Sequence, residues 1–250
     1  MCHTELAAGQ AVDDTSLTPV DVPLADERMP ALLAGPERAA PPLLLIPDMF
    51  GPSAFYRGLA ARLAQDYEVL LVDYFFRTEP LAEQTVEAGF ARRRQLDEVK
   101  TLADLGGALA WLRGRDGYAG KVGVMGFCMG GTFVLDLCAE HADLVAVAYY
   151  GFPVPQPFLA APPPAPVDLA ERMRGSILAL WGDQDEAVGM EHVARFGELM
   201  EAAGADYEAR IYAGVGHGFL SQATFAPDGE SAADRSWAAT LAHLSEHLAA

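Results

Sequence analysis

Cys128 stands where an apolar run gives way to a helical pattern, in Val122-Gly123-Val124-Met125-Gly126-Phe127-Cys128-Met129-Gly130-Gly131. A β-branched stretch ending in Gly-x-nucleophile-x-Gly reads as a nucleophile elbow, a sharp turn that lifts one side chain off the tip of a strand. Strand and helix pass so closely in such a turn that side chains at Gly126 and Gly130 have no room. The helix that follows aims its opening N–H groups and the positive end of its dipole at the sulfur, which favours thiolate over thiol.

A cysteine nucleophile needs a base, and the base needs an orienting carboxylate. Trp181-Gly182-Asp183-Gln184-Asp185 closes one apolar run, and Gly214-Val215-Gly216-His217-Gly218-Phe219 closes the next. Nucleophile, acid and histidine thus follow one another in chain order at strand ends. A loop histidine by itself usually has no catalytic task; the company of Cys128 and a strand-end aspartate reverses that reading for His217. Asp185, one residue deeper into the loop beyond Gln184, is favoured as its partner. Asp183 stays the rival, with turn formation or capping as its other use.

The elements that must position these groups alternate along the chain. Strand candidates fall at residues 43–46, 69–74, 122–125, 145–150, 177–181 and 207–212, several of them apolar throughout, as strands covered on both faces are. Helix candidates fall at 53–65, 91–113, 130–139, 191–203 and 232–248; in 91–113, Leu96, Val99, Ala103, Gly106 and Ala110 suggest one buried stripe. This alternation predicts an α/β fold with a mostly parallel, doubly wound sheet flanked by helices. Val20-Asp21-Val22 and Ala31-Leu32-Leu33 predict an antiparallel edge hairpin before it. Residues 1–17 read as an N-terminal extension and 18–250 as a single domain. Seven prolines between Pro153 and Pro166 exclude regular structure there, and the segment either rims the site or is a surface connection.

Composition narrows the function. The 250 residues carry 17 basic and 35 acidic side chains, a formal charge of −18, which excludes nucleic acid and anionic membranes as partners. An anionic substrate would need a local cation. Hydrophobic content of 51% and a mean hydropathy of +0.12 suit a large buried core, without the ~20-residue apolar run of a membrane helix. The first residues lack the pattern of a signal peptide, so a cytoplasmic location is expected. Cys2, Cys128 and Cys138 form neither a disulfide framework nor a zinc pattern, and Cys138, on an apolar helix, reads as a small buried hydrophobe. Arg92-Arg93-Arg94 reads as a solvated helix face beside Asp97 and Glu98. His243-Leu244-Ser245-Glu246-His247 has the H-x-x-E-H spacing of a zinc helix but no downstream third ligand, and a polar outer helix face is the ordinary explanation. No cofactor or metal is expected.

The chain resembles the dienelactone hydrolases, the carboxymethylenebutenolidases of the α/β-hydrolase fold, from about Pro19 to its end. The residues that carry the likeness are Ile46-Pro47-Asp48-Met49-Phe50-Gly51, Val72-Asp73-Tyr74-Phe75-Phe76-Arg77, the Cys128 elbow, Tyr149-Tyr150-Gly151, Gly182-Asp183-Gln184-Asp185 and Gly216-His217-Gly218-Phe219. The resemblance implies a Cys128–His217–Asp185 triad, an oxyanion hole from the backbone N–H groups of Met129 and Met49, and a substrate pocket touching Arg77, Tyr150 and Phe50. The small-molecule substrate would be a lactone or ester; the choice between monomer and dimer stays open. Two departures stand out. Asp48 replaces a family glutamate that helps activate the thiol; it is one methylene shorter, and it reads equally as a loop carboxylate satisfied by nearby N–H groups. Arg77 matches one of two arginines that hold a substrate carboxylate, but Leu220-Ser221 stands where the second would fall, which implies a less anionic ester or lactone. Arg77 reads equally as a solvated loop arginine. An activated lactone or ester hydrolase is the first reading; an acyltransferase, or a non-catalytic redox-sensing or binding protein using Cys128, are the alternatives.

Overall fold

The computed structural model describes residues 16–115, 120–156 and 163–248. Most of the expected extension 1–17, Cys2 included, lies outside them, as do residues 157–162 of the proline-rich segment. The hairpin forms as expected: β1 (Thr18–Pro23) and β2 (Arg28–Ala34) run antiparallel, with Val20 opposite Ala31. β2 then pairs antiparallel with β4 (Glu68–Val72), which lies parallel to β3 (Pro42–Ile46). From β3 the sheet continues in parallel through β5 (Val122–Phe127), β6 (Leu144–Tyr149), β7 (Ser176–Gly182) and β8 (Asp206–Tyr212). The result is one eight-stranded sheet in the order β1-β2-β4-β3-β5-β6-β7-β8.

Every residue of β3, β5, β6 and β7 is buried, which is why these strands read as unbroken apolar runs. The helices that cover them are α1 (Ala54–Leu63), α2 (Val86–Arg93), α3 (Glu98–Arg113), α4 (Met129–Cys138), the short α5 (Pro166–Leu169), α6 (Met190–Ala202) and α7 (Ala232–Leu248). Two glycines of β5 show both faces in use. A Cβ on Gly123 would meet Leu248 of α7 at 3.0 Å, and one on Gly126 would meet Val134 of α4 at 2.8 Å. Positions of opposite parity face opposite ways, so α7 and α4 sandwich the central strand. Beneath the C-terminal strand ends, Phe127 stacks on Tyr149 with centroids 5.2 Å apart, and Tyr149 in turn meets Tyr150 and Phe219.

Three expectations about the helices and the proline-rich segment need correction, and a fourth concerns His243. The helix predicted over 91–113 is two helices, because Asp97 accepts the Lys100 N–H at 3.0 Å and so caps a fresh start at Glu98. The buried stripe of α3 is Thr101, Asp104, Leu105, Ala108, Leu109 and Leu112, while Val99, Ala103 and Ala110 face out. Polar Thr101 and Asp104 disguised the inner face. The proline-rich segment, finally, ends in structure, since Pro166 opens α5, the position where a missing N–H costs nothing.

Cys138 is fully buried, and burial pushes its thiol well up, in keeping with a packing role. His243 sits buried on α7 with its ring 4.7 Å from that of His247, so it does not belong to a polar outer face. Replacing Asp97 with alanine should cost about 1 kcal/mol of stability by urea denaturation while leaving turnover per folded molecule unchanged, because only the α3 cap is lost. A loss of activity without a loss of stability would contradict this account of the break.

Candidate active site

Cys128 joins β5 to α4 in a conformation L-residues avoid, with φ 57° and ψ −121°. Such a backbone costs roughly 1–3 kcal/mol and persists only where its surroundings over-determine it. Here they do. The Cys128 N–H donates to the Tyr149 carbonyl at 3.0 Å, a Cβ on Gly126 would lie 2.2 Å from the Gly130 oxygen, and a Cβ on Gly130 would lie 2.4 Å from the Pro47 oxygen. Neither position tolerates a side chain. The turn leaves Cys128 5% exposed, with Met129 opening α4, where the first N–H groups have no partner within the helix.

The β7 and β8 loops bring the expected partners. Asp185 is buried, and its Oδ2 lies 2.8 Å from His217 Nδ1. Its other oxygen accepts the N–H groups of Ala187 and Val188 at 3.2 and 3.1 Å, which hold the carboxylate in place. Asp183 instead accepts the Gly214 N–H at 2.7 Å, tying the two loops together as the capping alternative foresaw. Burial opposes charging of the imidazole, but the Cys128 sulfur and Asp185, both hydrogen-bonded to it, outweigh that and push His217 up to about 10. Tyr150, itself at φ 39°, packs its ring 4.9 Å from the imidazole. Phe152 covers the ring from 5.5 Å; it was not anticipated, and its place directly after Tyr149-Tyr150-Gly151 was the available signal.

The loop after β3 closes another side. Asp48 is completely buried, and its Oδ1 accepts the Phe50 N–H at 2.9 Å. Helix α2 supports this loop: a Cβ on Gly89 would lie 2.9 Å from the Met49 sulfur, so glycine there lets the Met49 side chain seat against the helix. Phe50 lines an open groove of about 330 Å³ with Ser53, Arg57, Asp73 and Arg92.

The arginines do not sit where the pattern suggested. Arg77 spans Asp104 of α3, with contacts of 2.5 and 3.2 Å, and also pairs with Glu27, while its guanidinium stacks on Phe76. Its charge is already compensated by two carboxylates, so the expected grip on a substrate carboxylate finds no support in its position. Arg92 and Arg93, read as solvated, are buried. Arg92 donates to Thr78 Oγ1 at 2.8 Å and lies over Phe75; Arg93 pairs with Glu98 at 3.3 Å and lies toward the Phe152 ring. The helix break between α2 and α3 turns both inward.

This geometry meets a known family. Residues 29–248 match the dienelactone hydrolase family. The chain belongs to it. Carboxymethylenebutenolidase of Rhodococcus opacus is 31% identical over 252 aligned residues, covering 99% of this chain and 98% of the relative. Carboxymethylenebutenolidase 2 of Cupriavidus pinatubonensis is 37% identical over 184 residues, 72% of this chain and 74% of that one. A crystal structure from Klebsiella pneumoniae, provisionally named a dienelactone hydrolase, superimposes with a TM-score of 0.82 at 27% identity, covering 92% of this chain and 98% of that one. Membership makes the chain a hydrolase of carboxylic esters or lactones, and among its described residues no helix is long and apolar enough to cross a membrane.

The His217 environment predicts a titration. In the wild type its ring should titrate near 10 by proton NMR, and in Cys128→Ala the midpoint should fall by about one unit or more, because the sulfur is the largest influence raising it. An unchanged midpoint would show that the sulfur does not act on the imidazole.

Proposed function

We propose that this dienelactone hydrolase family member opens activated esters or lactones through a Cys128–His217–Asp185 triad and a thioester intermediate. The observation that carries the reading is the continuous hydrogen-bonded line from Asp185 through His217 to Cys128, with the sulfur in a strained turn at a helix N-terminus. Cys128 thiolate attacks the carbonyl carbon, forming a C–S bond while the carbonyl π electrons move to oxygen. The N–H groups of Met129 and Met49 receive that oxyanion, each such donor being worth roughly 3 kcal/mol. Collapse breaks the C–O bond, and the enol or alcohol leaves with the proton of the His217 imidazolium. Water, deprotonated by His217, then attacks the thioester, releasing carboxylic acid and restoring the thiolate. Asp48, buried in the loop that carries Met49 with its Oδ1 accepting the Phe50 N–H, is the candidate for activating the thiol.

Thiolates acylate readily but attack unactivated esters poorly, so an enol lactone suits this site best. The relatives' name, carboxymethylenebutenolidase, describes an unsaturated lactone. If the substrate of this chain is anionic, Arg92, which lines the groove beside Phe50, is better placed than Arg77 to receive its charge.

The test uses a panel of enol lactones and p-nitrophenyl esters. Cys128→Ala and His217→Ala should each lower kcat/KM by about 10³ or more, Asp185→Asn by roughly 10² or more, and Asp183→Asn by less than about threefold. Turnover that survives Cys128→Ala sinks the thioester route, and product formed mainly with an added alcohol or thiol would make the protein an acyltransferase. In the same panel Arg92→Leu should raise KM for anionic lactones more than for neutral ones, whereas Arg77→Leu should shift both equally.

A further inference from the structure

Tyr74 lies beneath the loop that carries Asp48 and Met49. It is 1% exposed, its ring packed beside Phe75 and edge-on to Phe133 at 5.7 Å. Its hydroxyl sits 2.9 Å from the Pro47 carbonyl and 2.9 Å from the Asp48 carbonyl, so one phenolic proton is shared between two acceptors. Burial above all, with the charges of Asp48 and Cys128 nearby, holds the phenol protonated well beyond its usual range. It can therefore only donate to these carbonyls. The Asp48 oxygen also accepts the Gly51 N–H at 3.0 Å.

That oxygen belongs to the same peptide unit as the Met49 N–H. In a planar trans peptide the C=O and N–H bonds point in opposite directions, so donors that anchor the oxygen on one side aim the N–H to the other. Hydrogen bonds to the oxygen also draw electron density through the amide and make its N–H a stronger donor. We propose that Tyr74 is a positioning residue of the oxyanion hole: its hydroxyl pins and polarises the Asp48–Met49 peptide so that the Met49 N–H meets the developing oxyanion. The proposal rests on the reading of Met49 as an oxyanion donor. Nothing about Tyr74 in the sequence indicates the role; the residue sits two positions past the end of β4 and reaches the loop after β3 only because these strands are neighbours.

Three measurements on the intact protein test it. In Tyr74→Phe, acylation by a p-nitrophenyl ester, read as the maximal burst rate, should fall about tenfold, with the ester concentration that gives half of that rate changed less than about twofold. Alkylation of Cys128 by iodoacetamide, which displaces iodide at a saturated carbon and develops no carbonyl oxyanion, should proceed at the wild-type rate. Replacing Tyr74 by mono- and difluorotyrosine should preserve or raise the burst rate in step with phenol acidity, and this series carries the test alone if the phenylalanine variant does not fold. An undiminished burst in Tyr74→Phe, an equal fall in burst and alkylation, or a burst rate that drops with fluorination overturns the proposal. A wild type that acylates with no ester at all removes the hydrolase reading instead, so the two failures are distinguishable.

Discussion

The site depends on one close approach of backbone to backbone: Gly130 against the Ile46 and Pro47 carbonyls, where a Cβ would fall 2.5 and 2.4 Å from their oxygens. That contact presses the first turn of α4 against the loop after β3. It sets the distance between two peptide units, one following Cys128 and one following Asp48, that would flank a carbonyl oxygen. It also leaves the chain no way round from β5 to α4 except through the positive φ of Cys128. The strain is held by what lies beneath: β5 is buried along its whole length between α4 and α7, so relaxing the turn would open the core.

Charge is arranged around this turn with the same economy. A chain of formal charge −18 would discourage a thiolate if its acids faced the sulfur unpaired. Asp185 is engaged by two N–H groups and the imidazole, and Asp48 by the Phe50 N–H. Arg77, Arg92 and Arg93 pair with acids of the surrounding shell, binding α2 and α3 to the strand-end loops. Such partly buried pairs contribute less to net stability than to fixing which loop meets which helix.

Much of this was legible in the residues. Continuous apolar runs identified the parallel strands because burial on both faces removes alternation, and Gly-x-Cys-x-Gly identified the elbow because its glycines answer a local steric demand. Asp185 was separable from Asp183 by depth in the loop, and the capping use of Asp183 was visible as its alternative. Long-range pairing was not legible. Arg77 stood between a substrate ligand and a solvated arginine, and neither reading held its ion pairs, because Glu27 and Asp104 lie 50 and 27 residues away in sequence. Arg92 and Arg93 looked solvated because Asp97 as a helix cap resembles any acidic neighbour until the break is seen. The inner stripe of α3 was hidden for the same reason: Asp104 is buried by a partner that the helix itself does not reveal.

On the proposed mechanism, sulfur at the elbow also solves a difficulty that the raised His217 creates. An imidazole held near 10 is protonated at neutral pH, so the proton for a departing enol is in place, but no nitrogen lone pair is free to activate water. The largest raising influence on it, however, is the sulfur itself. In the proposed cycle acylation converts that thiolate into a neutral thioester and removes its charge, while burial, which lowers the imidazole, remains. His217 then falls toward the range in which it accepts a proton from water, and it rises again when the thiolate is released. A serine elbow, whose oxygen is neutral at rest, would offer no such alternation: in the proposed cycle one histidine would serve as acid in the first half-reaction and base in the second because the nucleophile's own charge resets it.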